Sequence, residues 1–465
     1  MLPVPDTSAQ HETARAQFGF AYDGVLGTSL DAKLDAASAR DAREGEQRLL
    51  AEIDRLEKIL SPRDPASDFS RVRSGAPVES RELADVLAAY DLWSARTHGV
   101  LHANLAGVTA LWRAAALTGR EPNAAALAAA FAAPHSLAID ALGKAFIVDR
   151  AVAVAREFAS AGLLNIGGDL RAWGDRPWMI SVANPFDSAD NAPPIAQFPL
   201  RDAAVATSGG YARNFTVGPR RYSHLIDPRT LRPLATDRAA TVVAADCVSA
   251  NALSTALCVL DDDDAAPLTR EFALDHLRVG AANEMGASSG FGALAQAKFA
   301  DEPSARPVAT MDGAWPADYQ VSIGISLKTA EGQGRRVKRP YVAVWVEDAE
   351  HRLVRTVTVW ASEGRYLPDL TKWWRAIGGN RYEASSVTRA TRYPGKYTVA
   401  WDGRDNRGQP VPQGDYTVIV EINREHGHHV WQAATVTCGG ESASAEMPDT
   451  AETGAGTVAY GPRGS

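Results

Sequence analysis

The sequence predicts an α+β domain followed by a β-sandwich-like, immunoglobulin-like domain, and three observations predict it. The chain of 465 residues exceeds the usual span of one hydrophobic core. Helical stripes alternate with short apolar strands up to about Leu277, whereas only short β-rich runs between turn residues follow Pro316. Between them, residues 280–316 are rich in Ala, Gly, Ser and Pro without periodicity, as a linker is. The expected units are therefore 14–280, a linker over 281–316, a β-rich domain over 317–446 and a flexible tail over 447–465.

In chain order, Phe18 to Leu34 has strand character. Asp41 to Leu60 then places Leu49, Leu50, Ile53, Leu56, Ile59 and Leu60 on one helical stripe. Ser80 is a natural N-cap for a helix burying Leu83, Val86, Leu87, Tyr90 and Trp93 and ending near Gly99. The alanine-rich stretch 124–133 predicts a close-packed helix stopped by Pro134. Leu163 to Ile166 and Trp178 to Val182 read as strands, and so do Tyr341 to Val346, Val354 to Trp360, Tyr397 to Trp401 and Tyr416 to Ile422. The Asp402-Gly403 pair predicts a tight turn from Tyr397–Trp401 into a returning strand. Glu425-His426-Gly-His428-His429 has metal-binding residue types but reads as a polar loop at a strand end.

Composition excludes several classes. Apolar residues make up 45% and charged residues 22%, as in globular chains, and no run approaches the roughly 18 apolar residues of a membrane span. A net charge of -8, spread without long single-sign blocks, argues against nucleic acid as partner. Cys247, Cys258 and Cys438 are odd in number and lack metal-ligand spacing, which argues against a disulfide framework. Residues 1–10 contain no apolar secretory segment, so a cytoplasmic protein and an exported one lacking its leader are both open.

Four clusters in the first unit combine glycines with polar residues. They are Ser61-Pro-Arg-Asp-Pro-Ala-Ser67-Asp-Phe-Ser70-Arg71; Asp140-Ala-Leu-Gly143-Lys144 running to Asp149; Asn165-Ile-Gly167-Gly168-Asp169; and a series from Thr207-Ser208-Gly209-Gly210-Tyr211 through His224-Leu-Ile-Asp227-Pro228-Arg229-Thr230 to Ala250-Asn251-Ala-Leu-Ser254-Thr255-Ala256. Taken singly each is ordinary, since Gly-Gly-Asp is commonly a plain turn and a lone His or Lys commonly structural. In this order and spacing they resemble the ApbE-type FAD:protein FMN transferases across Phe18 to Leu277, with a fused C-terminal β-domain of uncharacterised function.

That resemblance implies an enzyme that moves FMN from FAD to a Thr or Ser hydroxyl of a target protein, releasing AMP, with Mg²⁺ as Lewis acid on the pyrophosphate. It implies flavin contacts from Ser67, Ser70, Arg73, Lys144, Asn165, Gly167, Gly168 and Asp169, and from Thr207, Ser208, Gly209 and His224. Lys144, in what reads as a loop, His224 and Asp227 are the implied catalytic residues, and the carbonyl of Gly143 with Asn251 and Thr255 the implied metal ligands. A periplasmic or exported location is expected, with a cytoplasmic one left open.

The chain departs from the family pattern at four places: Asn251 stands for an aspartate, Arg73 for an asparagine, and Ala145 and Leu231 for glycines. An amide oxygen binds Mg²⁺ without adding charge, so weaker metal affinity is expected. The departures leave open a flavin-binding or flavin-carrying protein with weakened transfer, and an FAD pyrophosphatase in which water replaces the hydroxyl. In the second domain, Ser385-Ser-Val-Thr-Arg-Ala-Thr391 partly matches the acceptor motif of these enzymes. Thr391 is thus an expected flavinylation site, exposed between strands and presented by the chain's own C-terminal domain.

Overall fold

The structure, a computed structural model, describes residues 16–463 apart from 186–188, 190, 211–213, 236–237, 273–274, 281–283, 300–314, 317, 330–338, 362–363, 380–387, 390 and 425–426. The first unit is built on one antiparallel sheet of eight strands. Their spatial order is Ala16–Val25, Thr28–Ala36, Ala161–Ile166, Asp169–Trp173, Ala204–Gly209, Ala239–Ala244, Asp275–Val279 and Met285–Ala287. The stretch expected as one strand from Phe18 is thus a hairpin, because Gly24, Leu26 and Gly27 adopt positive φ and turn the chain back on itself.

Alternation along the strands sends one set of side chains to each face. On one face Ala204, Ala206, Ala240 and Val242 meet the helices Ala39–Leu60, Arg81–Arg96, Asp140–Ala155 and Cys247–Val259. Leu49, Ile53, Leu56 and Leu60 form the buried stripe of the first helix, which Ser38 caps by accepting from the Asp41 N–H. Ser80 caps the second helix in the same way. On the other face Val205 and Leu277 pack with Phe198 and Phe291, the latter from a helix at Ser289–Phe299 inside the expected linker.

The second unit is a β-sandwich. One sheet orders Gly395–Trp401, Tyr319–Leu327, Thr453–Pro462 and Ala443–Met447, and the other Thr388–Arg389, Leu353–Trp360, Tyr341–Glu347, Gly414–Asn423 and His429–Cys438. Val399, Trp401, Tyr416, Val420 and Tyr460 fill the space between. Two expectations are corrected here. Gly395–Trp401 and Gly414–Asn423 are not a hairpin: each buries one face in the shared core, and the turn at Asp402-Gly403 begins a crossover between the sheets. The stretch from residue 447 is not a tail, because Thr453–Pro462 is an inner strand whose Thr453, Val458 and Tyr460 are buried. Glu425 and His426 lie outside the described residues, while the His429 imidazole sits 2.6 Å from the buried Glu421 carboxylate.

The two units meet through polar groups. The Asn191 amide pairs with the backbone of Ala400, donating to its carbonyl at 2.6 Å and accepting from its N–H at 2.8 Å. Arg339, ahead of strand Tyr341–Glu347, reaches back to the Ala16–Ala36 hairpin.

Candidate functional site

Helix Asp140–Ala155 carries Gly143 and Lys144 on its first turns, so the residue expected in a loop is held on a helix whose buried side is Leu142, Ala145, Ile147 and Val148. The Lys144 ammonium lies 2.8 Å from Asp169 Oδ2 and donates to the Gly167 carbonyl at 3.2 Å. Asp169 opens its strand, buried, and its Oδ1 accepts from Asn251 Nδ2 at 2.8 Å. Asn251 and Thr255 are one turn apart on the Cys247–Val259 helix and share a face. Thr255 Oγ1 is 3.2 Å from Ser208 Oγ, which lies 2.9 Å from Ser254 Oγ. Two linked groups result, Lys144 with Asp169 and Asn251, and Ser208 with Ser254 and Thr255.

The glycine pair is shaped by close approach. Gly167 has φ +57°, and a Cβ there would stand 2.6 Å from the Thr28 side chain. Asn165 Oδ1 accepts from the Gly168 N–H at 3.0 Å and so closes the turn rather than facing a ligand. Next to this turn opens a cleft of about 500 Å³, lined by Leu26, Gly27 and Thr28 of the hairpin turn, by Gly143 and Lys144, and by His224. Lys144 and His224 therefore face one space from distant parts of the chain.

Other expected residues lie differently. Ser67 and Ser70 donate their hydroxyls to the Ser61 carbonyl at 2.6 and 3.1 Å, fixing the turn whose Ser61, Pro62 and Arg63 line the cleft. Arg73 stacks over the Phe69 ring at 5.8 Å. Thr207 faces away from Ser208, as strand alternation requires, and bonds Thr241 Oγ1 at 2.9 Å on the other side of the sheet. Gly209 ends that strand. The Asp227 carboxylate grips the guanidinium of Arg229, two residues on, at 3.0 to 3.3 Å and does not line the cleft. Thr391 is 2% exposed, its hydroxyl against Arg339, while residues 385–387 and 390 of its motif lie outside the described residues.

Glu57, Trp112, Arg113 and Phe215 also line the cleft, and none belongs to a motif legible in the sequence. Trp112 Nε1 donates to the Leu231 carbonyl at 2.9 Å, and Leu231 has φ +59°. A glycine prefers that conformation, so the family's glycine at this position was the available sign that the loop after His224 needs an anchor. Asp149 sits beneath the helix that carries Asn251, accepting from the N–H groups of Cys247 and Val248 at 2.9 and 3.1 Å. Burial pushes its carboxyl up to about 6 against those two bonds.

Among the described residues, no three His, Cys, Asp or Glu side chains gather as a metal cluster. A cation here would instead meet neutral oxygens. Asn251 Oδ1 is buried without a hydrogen-bond partner, and Thr255 Oγ1 stands one turn away on the same face. A set of oxygen donors with one carboxylate nearby suits a hard cation that keeps waters, such as Mg²⁺.

Comparison with known proteins gives the context. The ApbE family model matches residues 26–277, and a model described as "Predicted periplasmic protein (DUF2271)" matches residues 322–455. An FAD:protein FMN transferase of Rhodobacter capsulatus is 37% identical over 106 residues, 22% of this chain and 20% of the relative. One of Haemophilus influenzae is 32% identical over 133 residues, 27% of this chain and 38% of the relative. The chain thus spans well under half the length of these relatives, whereas the match to the Escherichia coli K12 enzyme is 22% identical over 280 residues and covers 53% of this chain and 79% of the relative. The fold is shared with the ApbE protein of Thermotoga maritima (TM-score 0.53, 24% identity, 60% of this chain and 99% of that one). It is shared too with the flavin transferase ApbE of Vibrio cholerae (TM-score 0.51, 21% identity, 60% and 100%).

Proposed function

Because the chain belongs to the ApbE family over residues 26–277, we propose that it is an FAD:protein FMN transferase acting on a Thr or Ser hydroxyl, with Mg²⁺ and with release of AMP. The observation that carries this is the cleft where Lys144 and His224 meet, beside a buried Asn251 oxygen left without a partner. In the reaction, the hydroxyl oxygen bonds the FMN-side phosphorus while the phosphorus–oxygen bond to AMP breaks, and AMP keeps the bridging oxygen. His224, exposed in the cleft, takes the hydroxyl proton. The Lys144 ammonium, held by Asp169, offsets charge on the pyrophosphate. Asn251 Oδ1, Thr255 Oγ1 and the Gly143 carbonyl would hold Mg²⁺, which when bound supplies Lewis-acid neutralisation of the phosphates. Asp227, locked to Arg229, shapes the loop that presents His224.

The acceptor belongs to another protein, and Thr391 serves only when its contact with Arg339 opens. The DUF2271 match supports a periplasmic setting. A second reading, a flavin-holding protein with weakened transfer, is favoured by the Asn251 amide, which donates to Asp169 where a carboxylate would draw a cation. Incubation with FAD, Mg²⁺ and an acceptor protein, followed by intact mass, separates the readings. An FMN-phosphate adduct lost in His224→Ala supports transfer. AMP release without an adduct means hydrolysis, and bound flavin without AMP means a carrier.

A further inference from the structure

The Arg339 side chain is 2% exposed, and its guanidinium bridges the two units although its backbone lies in the second. Nη2 donates to the Tyr22 carbonyl at 3.0 Å and to the Leu30 carbonyl at 2.6 Å. Nη1 donates to the Thr391 carbonyl at 2.9 Å and stands 3.2 Å from Asp31 Oδ1. Tyr22 and Leu30 face each other across the hairpin, and they are the last pair before its register breaks, the next being Val25 with Thr28. Buried carbonyls at such a break need donors, and the rigid fork of a guanidinium can serve several acceptors at once. An ammonium cannot hold that geometry.

Beyond the break comes the turn Leu26-Gly27-Thr28, which lines the cleft. Leu26 has φ +52° and Gly27 +73°, so the turn needs support from its stem. Thr28 packs against Gly167 so closely that a Cβ on that glycine would stand 2.6 Å away, and the Gly167 carbonyl accepts from Lys144. An unbroken series of contacts therefore runs from the second domain to the Lys144–Asp169–Asn251 group.

We propose that Arg339 is a positioning residue through which the second domain sets the wall of the flavin cleft. This rests on reading the cleft as the FAD site. The second domain is then part of the working enzyme, bracing the hairpin and, through Thr28 and Gly167, Lys144.

The test uses the full chain. Arg339→Lys keeps the charge but removes the fork, and losing a hydrogen bond of ordinary net worth predicts an FAD Kd about tenfold weaker by flavin fluorescence quenching. Amide hydrogen exchange over residues 24–30 is expected to speed up by a similar factor, about tenfold. Asp31→Asn weakens the same junction but leaves both carbonyl contacts, so it lowers the melting temperature while FAD Kd stays within about twofold. Should Arg339→Lys not fold, the charge-neutral double variant Asp31→Asn with Arg339→Gln is compared with Asp31→Asn alone. The proposal is overturned if removing Arg339 leaves FAD affinity unchanged, or if it and Asp31→Asn weaken affinity alike. If the wild-type chain binds no FAD, the flavin reading of the cleft falls. Hydrogen exchange then decides the bracing: faster exchange at residues 24–30 in the Arg339 variant but not in Asp31→Asn upholds it, and equal rates overturn it.

Discussion

Asn251→Asp sets the chemistry of the Lys144 group against its present geometry. Asn251 Nδ2 now donates to Asp169 Oδ1 at 2.8 Å, and Asp169 Oδ2 is compensated by Lys144 at 2.8 Å. The substitution replaces that donor with a second carboxylate, and one Lys cannot neutralise both. The lost hydrogen bond to a charged acceptor is worth roughly 1.5–3 kcal/mol, and the repulsion raises the proton affinity of the pair. Without metal the variant should melt roughly 3–12 °C below wild type, taking 2–4 °C per kcal/mol for a domain of this size. With Mg²⁺ at about 100 times its Kd, mass action returns about 2.7 kcal/mol and most of the loss. Lowering the pH should also restore stability, because the raised carboxyl pKa favours the protonated, uncharged form. The assay is thermal unfolding of both proteins in EDTA, in MgCl₂ and at two pH values. If the variant melts like wild type in EDTA and Mg²⁺ does not shift it, Asn251 and Asp169 do not frame a cation site.

Three further outcomes follow from the same geometry. Thr255→Val removes the hydroxyl beside Ser208 and one oxygen donor, so Mg²⁺-dependent AMP release should fall at least about tenfold, the worth of roughly one polar contact, while melting moves little; an unchanged metal dependence refutes the ligand role. Asp149 has a folded pKa of about 6 against 3.8, so its contribution is fully present below about pH 4 and is lost as pH rises through 6. Denaturant unfolding of wild type against Asp149→Asn should show wild type losing about 3 kcal/mol of relative stability across that window. Gly167→Ala should weaken FAD binding and stability together, because its Cβ meets Thr28, whereas Gly168→Ala, with φ +97° and nothing within 4 Å, should show only the roughly 1–2 kcal/mol of backbone strain.

Much of the fold was legible because single periodicities decide single elements. The stripe Leu49, Ile53, Leu56, Leu60 and the Ser80 cap needed no tertiary knowledge. The inner strand Thr453–Pro462 was not legible, because Thr453-Gly-Ala-Gly-Thr-Val carries small residues whose burial comes wholly from neighbours on both sides. Among candidate site residues, Lys144, Asp169 and Asn251, which the structure links, and His224, which shares the cleft with Lys144, were singled out through the family resemblance. Thr207 and Ser208 were read as one motif, although adjacent strand residues must face opposite ways. Asp227 looked available because the sequence does not show that Arg229 folds back on it. Arg339 closes the stretch Arg335-Arg336-Val-Lys338-Arg339, to which the sequence alone assigns no role, and only the tertiary contact with Tyr22 and Leu30 reveals its burial.

The placement of Thr453–Pro462 between Tyr319–Leu327 and Ala443–Met447 has a consequence for biogenesis. A chain emerging N-terminus first has residues 26–277 free to collapse long before its last inner strand arrives. The sandwich cannot complete its four-stranded sheet until residue 462 is out. A nonsense codon or proteolytic cut ahead of Thr453 would leave residues 26–277 intact and, under the proposed bracing by Arg339, their cleft unbraced, although every residue lining it is present.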